Sequence, residues 1–404
     1  MDPFGTAAGG GRDGRDKDMA KQILILGGYG ITGRLIASLM LKETDTQLVL
    51  AGRSREKGEE AASSLNREFG GQRVRAVMAD AADVPGLRAA MQGMDLVIVA
   101  SSTSMFVHQV AGAALQERVD YFDLQYSATK LATLQSLSRE IEAAGCCFIT
   151  DGGFHPGLPA GLVRLAAQHV ETLEQARVGS VIKADWAGYN VGLATLEELL
   201  SVFRDYKALE YKDGRWEEMG LLGMMKLLAM DFGSPFGRQP CYPMFLEEMR
   251  TLPEQCPGLR DTGFYIGGFN WFVDWFITPV AMAALGIWKD RAVRPTAKWM
   301  GWGLKKFSKP PFGTVLKLEA SGVRNGETCS LGLTLSHADG YVLTAIPVVA
   351  CLRQYLEGSI RKPGLWFQAH LPEPDQWMQD MERMGVAVSW QKNGAAAGSG
   401  WGNL

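Results

Sequence analysis

Six residues near the start of the chain, Gly28-Tyr29-Gly30-Ile31-Thr32-Gly33, have the spacing G-x-G-x-x-G. They directly follow the apolar run Ile23-Leu24-Ile25-Leu26 and directly precede a helical stretch from Arg34 to Leu41. Between a strand and a helix, the first glycine permits a tight turn, the second lets backbone approach a pyrophosphate, and the third lets helix and strand pack closely. Amides at the helix start then face the phosphates, which makes Tyr29, Ile31 and Thr32 cofactor contacts along with the three glycines. In a chain with 48 glycines the hexapeptide alone would pass for a structural turn, and the strand before it and helix after it are what mark a dinucleotide site.

The next apolar run ends Leu50-Ala51-Gly52-Arg53-Ser54-Arg55. About 20 residues past the glycines, NAD-binding chains place a carboxylate on the ribose 2′-hydroxyl, whereas a 2′-phosphate needs cationic donors. Here no carboxylate stands in that position. Arg53 and Arg55 offer guanidinium groups and Ser54 a hydroxyl, so the sequence predicts NADP(H) over NAD(H). The bland alternative is three solvated residues opening a helix. Asp80, past the third apolar run, is expected near the adenine or as a helix cap.

In an open parallel sheet the reactive end of such a cofactor lies beyond the carboxyl ends of the later strands. The segments there are Ser101-Ser102-Thr103-Ser104, Asp123-Leu124-Gln125-Tyr126 and Asp151-Gly152-Gly153-Phe154-His155-Pro156-Gly157. Ser101, Ser102 and Gly153 are expected beside the nicotinamide. Reduction needs a proton donor near the atom that gains charge, and His155, then Tyr126, then Lys130 are the candidates in that order. His155 is favoured as a group titrating near neutrality. Each has a structural alternative: a capping histidine, a pocket wall and a solvated helix lysine.

These residues need a scaffold, and the apolar runs supply one. Gln22 to Leu26, Gln47 to Ala51, Val74 to Ala79, Leu96 to Ala100, Tyr121 to Leu124 and Cys147 to Thr150 alternate with helix-length segments. The runs are continuously apolar, as in strands covered on both faces. The pattern predicts an α/β fold with a doubly wound parallel Rossmann sheet. After Pro156, longer strands are expected at Ala176 to Trp186, Val315 to Val323 and Thr328 to His337, with an Asn325-Gly326 hairpin turn between the last two. A helix is expected from Thr344 to Leu356 with Pro347 in its first turn, and Thr195 to Lys309 reads as helical or irregular. The second unit is therefore a largely antiparallel α+β domain. The expected division is a disordered leader or expression remnant over 1–18 with Met19 as natural start, a Rossmann domain over 19–155, a substrate and dimerisation domain over 156–390, and a flexible tail over 391–404.

A net charge of −3 over 404 residues offers no bulk attraction to nucleic acid. The six cysteines form no C-x-x-C pair and read as reduced in a cytoplasmic protein, and the five histidines form no metal-ligand cluster. One stretch stands apart. Trp275 to Trp288 is apolar but shorter than the ~20 residues that cross a bilayer. Lys289, Arg291, Arg294, Lys298, Lys305, Lys306 and Lys309 follow, interleaved with Trp299, Trp302 and Phe307. A buried helix before a solvated basic loop, a homodimer interface, and peripheral membrane contact through 275–309 all fit this composition.

The sequence resembles the saccharopine dehydrogenase-like oxidoreductases. The likeness rests on Ile25 to Arg34, Leu50-Ala51-Gly52-Arg53 and Gly153-Phe154-His155-Pro156-Gly157, and further on His337-Ala338-Asp339-Gly340-Tyr341 and Lys362-Pro363-Gly364. It weakens between Arg204 and Pro311. The resemblance implies hydride transfer between NADP(H) and an imine, carbonyl or enoyl group of a small metabolite. A non-catalytic NADPH-binding regulator or scaffold remains the alternative.

Overall fold

The computed structural model describes residues 20–188, 192–193, 196–197, 200, 206–219, 228–393 and 395–401. The leader expected over 1–18 lies outside them. The first half alternates β1 (Gln22–Leu26), α1 (Ile31–Glu43), β2 (Gln47–Gly52), α2 (Arg55–Phe69), β3 (Val74–Met78), α3 (Val84–Met91), β4 (Leu96–Val99), α4 (Val107–Gln116), β5 (Asp120–Asp123), α5 (Ala128–Ser136), α6 (Ser138–Ala143) and β6 (Cys147–Thr150). Then come α7 (Pro159–Gln168), β7 (Thr172–Lys183), β8 (Leu209–Lys212), β9 (Arg215–Glu218), β10 (Leu228–Asp231), β11 (Arg238–Pro243) and β12 (Asp261–Gly267). Two helices, Thr278–Trp288 and Asp290–Phe307, precede the long strands β13 (Gly313–Arg324) and β14 (Glu327–His337). The chain closes with the helix Gly340–Leu356, β15 (Gly364–Phe367), the helix Pro374–Arg383, β16 (Ala387–Lys392) and β17 (Ala395–Ser399).

The first sheet is parallel throughout, in the order β15-β6-β5-β4-β1-β2-β3. Its strands β1, β2, β4 and β6 are apolar on both faces because both are covered, whereas the edge strand β3 leaves Arg75 and Met78 exposed. In β1, Ile23 and Ile25 enter the core under α1, α2 and the helix Gly340–Leu356, while Leu24 and Leu26 enter the core under α3, α4 and α6. Each such side chain removed from water contributes about 1.5–3 kcal/mol, so the run Ile23 to Leu26 commits the strand to the middle of the sheet. Strand order reverses between β1 and β4, and there the helices leave for opposite faces of the sheet.

The second sheet runs β10-β11-β12-β7-β13-β14-β16-β17, with β8 on β12 and β9 on β8. All its pairs are antiparallel except β12 with β7. Asn325 and Gly326, with φ of 55° and 75°, make the hairpin turn joining Arg324 to Glu327.

Several expectations change. The stretch expected to be helical or irregular holds the strands β8 to β12, whose short, mixed sequences carry little alternation. Pro347 lies inside the helix Gly340–Leu356 rather than in its first turn, because Asp339 accepts from the amides of Tyr341 and Val342 and starts the helix earlier. The segment after residue 155 also does not stay apart from the first sheet: β15 extends it beyond β6, and the helix Gly340–Leu356 packs on α1. The end of the chain, expected to be flexible, carries β17 paired with β16, and Trp401 is buried with its indole donating to Asp375.

Candidate functional site

Since every strand of the first sheet points the same way, the turns that leave their carboxyl ends share one edge. Gly28 to Gly33 follow β1, Arg53 to Arg55 β2, Asp80 β3, Ser101 and Ser102 β4, Tyr126 and Lys130 β5, and Gly153 and His155 β6. All the candidate residues thus arise at one edge of one sheet, but their side chains do different things there.

The turn after β1 is built for close approach. Gly27 has φ +86° and sits so near the next strand that a Cβ on it would lie 2.8 Å from the Ala100 carbonyl oxygen and from Ser101 Cβ. A Cβ on Gly33 would fall 2.3 Å from the Gly27 carbonyl oxygen, so this glycine lets α1 rest against the turn. Gly30 differs: its Cβ would meet only that same oxygen, at 3.1 Å, and otherwise points into open space. Gly30 is the N-cap of α1 and has no side chain to satisfy the first-turn amides, and Arg34 is the first to bond back, to Gly30 at 2.9 Å. An uncapped helix start beside a cradle that a side chain would fill fits a pyrophosphate.

Tyr29 turns from this edge toward the β2 turn. Its ring stands where a Cβ on Gly52 would be, and its hydroxyl accepts from the Ser54 amide at 2.9 Å, fixing the segment that carries Arg53 and Ser54. Ser54 caps α2 through the Lys57 amide, and Arg55 is paired with Glu59 at 2.7 Å on the surface. Arg53 is exposed and makes no hydrogen bond or ion pair among the described residues, which leaves its guanidinium available to a phosphate. Asp80 accepts from the Ala82 amide at 3.0 Å, closing the turn after β3.

The other end of the edge is held by a buried charge cluster. Lys130 Nζ lies 2.7 Å from Asp123 Oδ1, 2.6 Å from Asp151 Oδ1 and 2.7 Å from Thr150 Oγ1, and it also donates to the Gln125 carbonyl. Burial opposes its charge, but the two carboxylates outweigh that and raise its pKa. Lys130 is therefore neither a solvated helix lysine nor a group turned toward the edge: it ties the ends of β5 and β6 together from beneath. Asp151 itself sits at φ 55°, a backbone state that non-glycine residues adopt mainly where their surroundings enforce it. Gln125 reaches the Ser101 carbonyl and Thr103 Oγ1, so the turns after β4 and β5 are joined through the same cluster.

His155 lies at the junction with the second sheet, its ring 4.0 Å from that of Phe154 and 5.5 Å from that of Phe264 on β12. Burial drives the imidazole down to about 4, so it is neutral at physiological pH rather than titrating near neutrality as expected. Its Nε2 is buried without a hydrogen-bond partner among the described residues. The Tyr126 hydroxyl donates to the Phe245 carbonyl at 3.1 Å, and thus joins the turn after β5 to the second unit.

Two residues that the sequence did not single out hold the β6 turn. Gln368, just past β15, accepts from the Gly153 amide at 3.2 Å and donates to the Gly153 carbonyl at 3.0 Å. Glu248, fully buried, accepts from the amides of Gly157 at 2.7 Å and Ala160 at 3.1 Å, and burial pushes its carboxyl up to about 8. Neither stands near the turn in sequence, so no local pattern announces them. A cavity of about 300 Å³ lies elsewhere, under Phe236, Phe269, Trp271, Phe307 and Lys309, and includes none of the candidate residues.

Comparison with known proteins follows the same division. Residues 23–148 match the family model for the saccharopine dehydrogenase NADP binding domain, so the cofactor is NADP(H). No curated protein matches the sequence. Apo histidine-tagged saccharopine dehydrogenase (L-Glu forming) from Saccharomyces cerevisiae superposes with a TM-score of 0.66 at 17% identity, over 92% of this chain and 100% of that one. A myo-inositol dehydrogenase from Corynebacterium glutamicum gives a TM-score of 0.43 at 11% identity, over 91% and 95% of the two chains. At such identities the yeast likeness is one of fold. Among the described residues no helix is long and apolar enough to cross a membrane.

Proposed function

We propose that the chain is an NADP(H)-dependent oxidoreductase acting on an imine, carbonyl or enoyl group, a reading supported by the match of residues 23–148 to the saccharopine dehydrogenase NADP binding domain and by the likeness of its fold to saccharopine dehydrogenase. The observation that carries the reading is the uncapped start of α1 behind Gly30, on the same sheet edge as the unpaired Arg53. In this reading Gly28 to Gly33 hold the pyrophosphate, Arg53, Ser54 and Arg55 the 2′-phosphate, Asp80 borders the adenine, and Ser101, Ser102 and Gly153 border the nicotinamide. Bound NADPH supplies a hydride.

What the protein itself contributes is placement and polarity. Lys130 positions the turns after β5 and β6. Its donors are committed to Asp123, Asp151 and Gln125, so it holds rather than delivers a proton. His155 acts as a neutral imidazole whose Nε2, unpartnered among the described residues, hydrogen-bonds a substrate heteroatom, and the Tyr126 hydroxyl joins the turn after β5 to the second unit through the Phe245 carbonyl. The same facts favour a second reading, an NADPH-binding regulator, because the His155 ring is neutral, the Tyr126 hydroxyl donates to the Phe245 carbonyl and the Lys130 ammonium is bound by buried carboxylates.

The experiment that separates them starts with NADPH binding by the purified chain. A panel of imine, ketone, aldehyde and enoyl acceptors is then followed by loss of NADPH absorbance. Turnover with one class supports the reductase and names its substrate class. Tight NADPH binding with no turnover across the panel supports the regulator, and failure to bind NADPH would sink both.

A further inference from the structure

The helix Thr278–Trp288 buries only Ala281 and Leu285. The rest of its surface is apolar and faces outward, as does the turn before it: Trp275 and Ile287 are each 70% exposed, Trp288 61% and Trp271 59%. A surface helix of a soluble fold normally turns one apolar stripe inward and polar residues outward. Here the outward side is the apolar one, and among the described residues nothing covers it.

The next helix, Asp290–Phe307, supplies the charge. Seven basic residues stand between positions 289 and 309, against the single acid Asp290, in a chain whose net charge is −3. Helical spacing puts Arg291, Arg294, Lys298, Trp302 and Lys305 along one face, and each of the five is exposed. The two helices form one surface. Phe272 stacks on Phe307 with ring centroids 4.3 Å apart and meets Trp302 at 5.7 Å and Phe276 at 5.4 Å, while Lys306 lies over the Trp302 ring at 5.3 Å. Apolar surface, aromatic belt and cations are therefore contiguous.

We propose that this face docks the protein on an anionic lipid bilayer, with Trp275, Ile287 and Trp288 entering the acyl boundary and the cations of Asp290–Phe307 meeting the headgroups. The pairing of buried apolar area with basic attraction is what holds interfacial helices at membranes. A second copy of this chain is a poorer occupant, because a two-fold contact through the patch would set one cationic face against its twin. The apolar helix is 11 residues, about 16 Å long, so it lies in the interface and does not span it.

Vesicle flotation tests this with the full chain and phosphatidylcholine vesicles, pure or in a roughly seven-to-three mixture with phosphatidylglycerol. Partitioning to the anionic vesicles alone, weakened by salt, is expected. Lys298→Gln with Lys305→Gln should lower it on the order of 25-fold, about fivefold for each charge. Trp275→Ser with Ile287→Ser should lower it tenfold or more, roughly, while the exposed positions keep thermal unfolding unchanged. No binding to anionic vesicles overturns the proposal. So does binding that both variants retain, which would place the contact elsewhere, and so does self-association that the apolar variant abolishes in a protein that ignores vesicles.

Discussion

In the proposed site Arg53 would carry the choice between phosphate and hydroxyl at the ribose, from a segment that Tyr29 holds through the Ser54 amide. Its exposed guanidinium has no competing carboxylate among the described residues. A charge-assisted hydrogen bond to a 2′-phosphate contributes about 1.5–3 kcal/mol, or roughly tenfold to a hundredfold in affinity. Arg53→Ala should therefore weaken NADPH by that factor and NADH little, as read by fluorescence titration, and equal losses for both cofactors would remove Arg53 from the site. His155 is the other residue with a measurable signature. Its folded pKa of about 4 lies below an unfolded value near 6.5. Between those values the unfolded chain holds a proton that the folded chain refuses. The stability contributed by the neutral ring is thus complete above about pH 6.5 and lost as pH falls toward about 4, in total about 3 kcal/mol. His155→Phe should remove this component, read as the difference between wild-type and variant urea midpoints from about pH 7 down to about pH 4.5, because both proteins share the like decline from His370, which burial lowers to about 4, and the opposing rise from Glu248, whose carboxyl burial raises to about 8. A decline unchanged by the substitution would mean that the folded ring reaches solvent.

At the scale of elements, the turn from β1 into α1 separates two glycines that look alike in the motif. Gly33 is filled by backbone: a Cβ 2.3 Å from the Gly27 carbonyl oxygen would push α1 off the strand. Gly30 faces open space, with a single contact at 3.1 Å. Gly33→Val should lower the thermal midpoint markedly, by overpacking worth about 1–3 kcal/mol or more. Gly30→Val should unfold close to the wild type and yet lose NADPH, since its side chain occupies the phosphate cradle. Calorimetric melts with and without NADPH check both. A folded Gly30→Val protein that binds NADPH tightly would move the pyrophosphate elsewhere. The opposite end of the same edge follows the same logic, since the ends of β5 and β6 are held by a lysine that the chain order makes look solvent-facing.

At the scale of the whole molecule the second half completes the core and the sheet of the first. One continuous core runs from Ile23 and Ile25 through the helix Gly340–Leu356 and α7 to Leu316, Leu333 and Trp401. At the amino ends of the strands, Asp120 accepts from the Cys147 amide at 2.9 Å and from Arg361 Nε at 2.7 Å, and it also accepts from the Tyr355 hydroxyl. A fragment of residues 19–155 would expose the face of β1 that the helix Gly340–Leu356 covers, open the β6 edge to water and leave Asp120 without its arginine. That fragment should lack a cooperative melt and bind NADPH far more weakly than the full chain. The full chain should give coincident unfolding curves by tryptophan fluorescence and far-ultraviolet circular dichroism. A fragment with native affinity and a sharp melt would show the first half to be an independent domain.

The run Ile23 to Leu26 followed by Gly28 to Gly33 was enough to predict a central parallel strand and the tight turn from it into a helix, because both are set by local chemistry: continuous apolar character, and glycines where no side chain fits. The Asn325-Gly326 turn was legible for the same reason. His155, Lys130 and the second half were not. A protonation state depends on burial, and burial comes from residues such as Phe264 and Asp151 that the chain brings in from elsewhere. The return of β15 to β6, the clamp of Gln368 on Gly153 and the outward turn of the apolar helix Thr278–Trp288 are likewise products of long-range packing. Periodicity reports which side of an element is apolar, but only the folded chain decides what, if anything, covers that side.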